Sequence, residues 1–349
     1  MKKNQLILGL VVLAALVALG VYAQHQHPFH WRAFVDQLAL ADWRKIAFAL
    51  GCIYLCYVIR SVRWALLLRH NKKVPLLSLL GTQVIGFTAV ALIGRVADPV
   101  RPYLVAKKTG LPLSNQIAVY IVERLFDLAS MAMIFCSVIL LAPSGALPHP
   151  EVIKRLCYGA LAMTVLGAFF LVAVRLSGEM VAAFLEGIFG MASKKLGQAV
   201  GHKIRAFRAG LDTMRTFTDV AIVCALSLAM WGLISLAYLE ITTAFTASPQ
   251  LAQMTPAKCM VLMASSLAVS GFQLPVIGWF TQIGVVEEAM RNFFGVAPEA
   301  ATACAATLLL VGFLAIVPIG LIWAHFENVS LRKIAAESEH AEEELEAKV

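Results

Sequence analysis

Three short stretches of this sequence combine charged side chains with residues that interrupt a helix, and its chemistry is concentrated there. The first is Gly94-Arg95-Val96-Ala97-Asp98-Pro99-Val100-Arg101-Pro102-Tyr103. Arginine presents a planar fork of N–H donors that grips phosphate with two bonds, and helix ends at a break add oriented backbone N–H groups that favour an anion. The same residues also suit a plain Arg–Asp pair that stabilises a turn. The second stretch, Glu123-Arg124-Leu125-Phe126-Asp127, puts two carboxylates four residues apart on one helix face, with an arginine beside both. Either carboxylate can neutralise Arg95 or Arg101 and leave another arginine for an anion; equally, the set can be an ion-pair network that locks two helices. The third runs from Gln273-Leu274-Pro275 through Gly278 and Gly284 to Glu287-Glu288, where Glu287 lies near the positive end of a restarted helix.

These charges stand in an unusually apolar chain. Of 349 residues 60% are hydrophobic and 14% charged, and the mean hydropathy is +0.79. That balance excludes a water-soluble fold and leaves no room for a sizeable soluble catalytic domain. Apolar runs fall near 6–23, 44–69, 76–94, 115–142, 154–174, 219–245, 257–275 and 299–323. All are expected to be helical, because an open strand edge in lipid leaves backbone groups unsatisfied and the alternation of a membrane barrel is missing. Ionisable residues at such depth are costly and are functional candidates by default.

Charge bookkeeping shapes the topology. With Lys2 and Lys3 inside, the second run delivers Arg69, Lys72 and Lys73 to the cytoplasm, and a complete third span would carry Arg95, Arg101, Lys107 and Lys108 outside. That opposes the positive-inside bias. Residues 76–111 are therefore expected to enter and return, broken at Gly94 and Pro99. Continued along the chain, the same count places the basic connection 175–218 inside and makes 257–296, broken around Pro275 and Gly278, a second re-entrant hairpin from the opposite face. The expectation is an all-α polytopic membrane protein with about six full spans, two re-entrant hairpins and a possible inverted repeat. Both termini are expected in the cytoplasm. The formal charge of +8 then belongs to cytoplasmic loops and does not call for nucleic acid.

The flanking features carry less chemistry. Leu6 to Ala23 reads as a signal anchor, 30–46 and 179–217 as interfacial amphipathic segments or, for the latter, a solvated basic loop, and 327–349 as a charged cytoplasmic tail, exposed or frayed, after a single membrane domain over 1–326. Arg60 and Arg63, beside Trp64, are expected to snorkel to the cytoplasmic headgroups. Seven cysteines without a Cys-x-x-Cys pair read as packing residues. His25, His27 and His30 lack acidic or cysteine partners at metal-binding spacing, and no nucleotide loop, zinc-protease helix or serine elbow is present, so no metal or cofactor is expected.

At the three charged stretches the chain resembles the transmembrane-region family of lysylphosphatidylglycerol synthases, the flippase-like domain family. The matching elements are Gly94-Arg95, Asp98 and Arg101-Pro102-Tyr103; Glu123-Arg124-Leu125-Phe126-Asp127; Pro275, Gly278 and Gly284-Val285-Val286-Glu287; and Arg60-Ser61-Val62-Arg63-Trp64. Asp98 beside Pro99 stands where the family usually has glutamate beside glycine, and Phe280-Thr281-Gln282 replaces a glycine pair. Residues 1–349 include no counterpart of the soluble aminoacyl-transferring domain, so lysine transfer is not implied. The resemblance implies movement or binding of a lipid with an anionic or polar headgroup, whether a phospholipid, a polyprenyl-phosphate carrier or a hopanoid, in a bacterial-type inner membrane. Arg95, Arg101 and Arg124 would then bind the headgroup, with Asp98, Glu123, Asp127, Gln273 and Glu287 balancing charge and gating the path. Oligomers are compatible with this role. A membrane-embedded transferase using Glu123 with Asp127 or Glu287 as acid and base, and a non-transporting scaffold, are the alternatives.

Overall fold

Each apolar run of the described chain forms a helix, as it must where no water is available to the backbone. The computed structural model describes residues 29–70, 72–143, 145, 147, 150–211, 216–270 and 277–347. The expected anchor at 6–23, His25, His27, Gln273 and Pro275 lie outside the described residues. In chain order the helices are α1 Trp31–Ala39, α2 Trp43–Leu68, α3 Leu76–Ile93, α4 Val100–Thr109, α5 Leu113–Leu140, α6 Pro150–Gly190, α7 Lys194–Leu211, α8 Phe217–Thr243, α9 Pro249–Ala252, α10 Pro256–Ser270, α11 Ile277–Phe294, α12 Pro298–Leu309, α13 Ile316–Phe326 and α14 Leu331–Ala347. Among the described residues there is no strand. The protein is an all-α polytopic membrane protein.

Length and composition alone select α2, α3, α6, α8 and the continuous α12–α13 as able to cross a membrane. Contacts redraw that set. Helix α3 is apolar enough, yet the chain turns back after it: Gly94 takes φ 93°, which a residue with a side chain rarely adopts, and a single 3-10 turn, Arg95–Ala97, leads into α4. The return is complete, because Lys72 Nζ, just before α3, donates to the carbonyl of Thr109 at 2.7 Å. Conversely α5 carries three charges but runs 28 residues, about 42 Å at helical rise, which is long enough to cross.

The second hairpin mirrors the first. Helices α10 and α11 pack against each other, and Lys258 near the start of α10 sits 5.6 Å from the ring of Phe294 at the end of α11. The two hairpins enter from opposite ends of the bundle. The open end of the first lies by Arg69 and His70, which pair with Asp219 at the start of α8. The open end of the second lies with the loop beyond Thr243, at the end where Lys45 Nζ donates to Thr243 Oγ1 at 3.0 Å. Each hairpin is followed by a span and packs on the other's: α3 lies against α13, and α10 against α5. Two opposed hairpins, each followed by a long helix, are what the expected inverted repeat would place there.

Small side chains let the helices close up. Cys259, Ala300, Ala301, Ala303 and Cys304 are fully buried between α8, α10 and α12, the packing role expected of cysteine here. Helix α6 faces outward along Leu156, Met163, Leu166 and Phe169, as lipid contact requires. It bends at Ser177 and continues to Gly190, and α7 folds back on it through Arg205, which meets Glu179 at 3.1 Å and Glu186 at 3.2 Å. The segment 179–217 is thus largely a helical pair and not a loop. The stretch 30–46 divides into α1 and the start of α2, with His30 Nδ1 3.0 Å from Glu299.

The expected exposed tail is instead docked. Helix α14 buries Ile334 and Ser338, and its Glu337 accepts from Tyr103 at 3.0 Å and pairs with Lys107 at 3.4 Å. Lys108 pairs with Glu327 at 2.6 Å, so the end of the first hairpin is held by three acidic contacts from the C-terminal segment.

Candidate functional site

The bundle interior is built from residues three or four apart on α2, α3 and α5. On α2, Arg60, Arg63 and Trp64 share a face; on α5, Glu123 and Asp127 do; on α3, Gln83, Gly86 and Phe87 do. Helix α4 inserts Arg101 among them. Its side chain lies directly on Gly86, where a Cβ would overlap the Arg101 stem, so the glycine is required for this approach.

Glu123 is the hub. Its Oε1 accepts from Arg63 Nη2 at 2.6 Å and its Oε2 from Arg101 Nη2 at 2.8 Å, with Arg63 and Arg101 both wholly buried and Glu123 1% exposed. Arg63 also donates to Asp127 at 2.6 Å and to Ser227 at 2.7 Å, tying α2 to α5 and α8. Arg101 donates to Gln83 at 2.9 Å and stacks over Phe87, 4.4 Å from its centroid, with Trp64 and Tyr120 at 5.1 and 5.5 Å. Paired, hydrogen-bonded and stacked on aromatic faces, these two charges are accommodated in a dry interior.

The remaining arginines face a cavity. A space of 630 Å³ opens between α2, α5, α8 and the tips of the two hairpins, with Arg60, Arg95, Arg124 and Asp127 among its polar walls. Tyr57, Phe87, Phe135, Trp231 and Met263 supply much of its apolar lining. Leu128 lines the cavity and is 57% exposed, so the space is open at that edge. Arg95 and Arg124 hold their carboxylate partners loosely: Arg95 meets Asp98 at 3.4 Å, and Arg124 meets Asp98 and Asp127 at 4.0 Å. Arg60 reaches Asp127 at 3.4 Å. Their forks therefore retain donors for another acceptor.

The hairpin tips meet at this cavity and satisfy each other's helix ends. Arg95 Nε donates to the carbonyl of Ser270, the last residue of α10, at 2.9 Å, and Trp279 Nε1 donates to the carbonyl of Ala91 in the last turn of α3 at 3.2 Å. Carbonyls at a helix end lack intrahelical partners and carry the negative end of the dipole, so both donors are well placed. Ser266, on the cavity wall, accepts from Gln282 at 2.7 Å and from Tyr238 at 3.2 Å.

The structure brings together Arg95, Asp98, Arg101, Glu123, Arg124 and Asp127, but in two layers. Arg95 and Arg124 line the cavity; Arg101 and Glu123 do not, and Asp98 braces the tip. Glu287 is elsewhere: it lies on α11, 22% exposed, paired with Arg291 at 3.5 Å and apart from the arginine cluster. Gln273 lies outside the described residues. Arg60 and Arg63 correct the expectation of snorkelling, since one lines the cavity and the other is wholly buried in the core. The signal for them was their spacing of three, which a lipid-facing pair does not need. Gln83, a lone amide in an apolar helix, was a second overlooked signal.

The family model for the lysylphosphatidylglycerol synthase TM region matches residues 6–322. The chain belongs to this family. No curated protein and no solved structure matches it. Membership fits an integral membrane protein that works among lipids, and the charged motif residues Arg60, Arg63, Arg95, Arg101, Glu123, Arg124 and Asp127 lie in the core or on the cavity wall.

Proposed function

We propose that this protein binds a lipid with an anionic headgroup in the cavity and passes it between the leaflets of the inner membrane. The observation that carries the proposal is the placement of Arg60, Arg95 and Arg124 together in an otherwise largely apolar space that is open at Leu128. A headgroup would replace the long carboxylate contacts of Arg95 and Arg124 while its acyl chains stay in the bilayer. The meeting of two opposed hairpins at the cavity supports alternate opening to either side, by rocking of one half on the other. The end of the bundle with Arg69, Lys72, Lys107, Lys108 and the α7 basic residues is the cytoplasmic one on the positive-inside bias. Of the acid–base pairs open to an embedded transferase, Glu123 and Asp127 are engaged by buried arginines and Glu287 lies apart from Glu123, paired with Arg291, which favours transport.

The test is leaflet exchange of fluorescent phospholipid and polyprenyl-phosphate analogues in proteoliposomes. Fast exchange with the native protein, lost in Arg95→Ala and Arg124→Ala with folding intact, is the expected result. Native protein that is folded but exchanges none of these lipids would overturn the proposal.

A further inference from the structure

The cavity and the layer behind it carry more positive than negative charge. Among the described residues, five guanidiniums, Arg60, Arg63, Arg95, Arg101 and Arg124, pair with three carboxylates, Asp98, Glu123 and Asp127, a surplus of two positive charges. The cavity wall alone gives the same surplus, three arginines against Asp127. The layer behind the wall therefore does not cancel it. Donors are in excess as well: Arg63 Nε and Arg101 Nη1 are buried with no acceptor in the described structure.

An uncompensated charge in a low-dielectric site is costly, and a lysine would relieve it by losing its proton. Arginine does not deprotonate in proteins, so what neutralises the surplus here is an anion. A phosphodiester brings one negative charge and two free oxygens. A phosphomonoester brings nearly two charges above its second pKa of about 6, and three free oxygens for three guanidinium forks.

We propose, resting on the lipid-binding function above, that the preferred ligand is a lipid ending in a phosphomonoester, bound as a dianion between Arg60, Arg95 and Arg124. The apolar remainder of the cavity and its edge at Leu128 hold the first part of the hydrophobic chain, which distinguishes such a lipid from free phosphate.

The full chain in detergent is titrated calorimetrically at pH 8 with dioleoyl phosphatidic acid, dioleoyl phosphatidylglycerol and inorganic phosphate. Phosphatidic acid should bind at least about tenfold more tightly than the diester, a difference of about 1.4 kcal/mol. Arg124→Gln, at a partly exposed position, halves the surplus and should bring the ratio near unity, whereas Arg124→Lys should keep most of it. Equal affinity for the two lipids overturns the inference and leaves the lipid-binding function standing. Failure of both lipids to bind folded protein overturns both. Inorganic phosphate competing as strongly as phosphatidic acid would make this a free-anion site and refute the lipid assignment.

Discussion

Glu123→Gln tests the architecture of the interior most directly. The carboxylate is the shared acceptor of two wholly buried guanidiniums, at 2.6 and 2.8 Å. The amide keeps one oxygen but turns an NH2 group toward the other arginine, donor against donor. Breaking a buried ion pair from one side costs about 3–5 kcal/mol, mostly because the surviving charge stays buried. Arg63 keeps Asp127 and Arg101 keeps Gln83, so the loss should stay within that range even though two pairs are touched. Unfolding in mixed detergent–SDS micelles should therefore show about 3–5 kcal/mol of destabilisation, roughly two to three and a half decades in the equilibrium constant. The cycle is closed with Arg101→Met, which removes the cation but keeps an unbranched apolar stem against Phe87. The double variant should recover at least half of the loss, since the stranded charge is gone. A cost below about 1 kcal/mol, the scale of an exposed pair, or a double variant no better than the single one, would refute the hub role of Glu123.

Gly86→Val should displace Arg101 and cost about 1–3 kcal/mol in the same unfolding assay, while Gly232→Ala, where a Cβ meets nothing within 4 Å, should be neutral or slightly stabilising. Cysteines substituted singly for Lys72 and Lys107 should react with an impermeant thiol reagent from one side of sealed vesicles, and a cysteine for Lys45 from the other; labelling of Lys72→Cys and Lys107→Cys from opposite sides would show that α3 crosses completely. The Tyr103 hydroxyl, and then Lys107, hold the Glu337 carboxyl below its ordinary range. Because that pKa is lowered by docking, its contribution is present above the unbound carboxylate pKa of about 4.3 and is lost as pH falls through the lowered value. Hydrogen exchange of α14 should accordingly be protected from pH 8 to 5 once corrected for intrinsic rates, and Glu337→Gln should exchange faster across that range.

Much of the fold was legible because hydropathy and loop charge are local properties of the chain. The basic residues Arg95, Arg101, Lys107 and Lys108 pointed to a return of the segment from 76, and the chain turns back there. The late glycine and proline near 275–278 marked the second reversal in the same way. The core was less legible, since helix periodicity says which residues share a face but not what that face meets. Glu123 and Asp127 were visible as a pair, yet their shared partner Arg63 lies 60 residues away and was read by its nearness to a helix end. Arg101 was conspicuous by its motif, but motif position does not separate a cation that binds from one that braces. The docked tail was missed despite its pattern: Leu331, Ile334, Ala335 and Ser338 recur at helical spacing and form the side that packs, while the many glutamates drew attention to the solvent side.

The two hairpin tips touch at Arg95 and Ser270; with both hairpins re-entrant, the insulating layer between the two aqueous sides narrows at that contact. Membrane voltage drops most steeply across such a layer, and carrying one elementary charge through the whole drop is worth about 2.3 kcal/mol per 100 mV. For the two-charge head inferred above, an inside-negative potential of that size supplies about 4.6 kcal/mol toward the outer leaflet. Export would then be electrogenic, driven by the resting polarisation of the cell without a nucleotide, and reversing the imposed potential would reverse its direction.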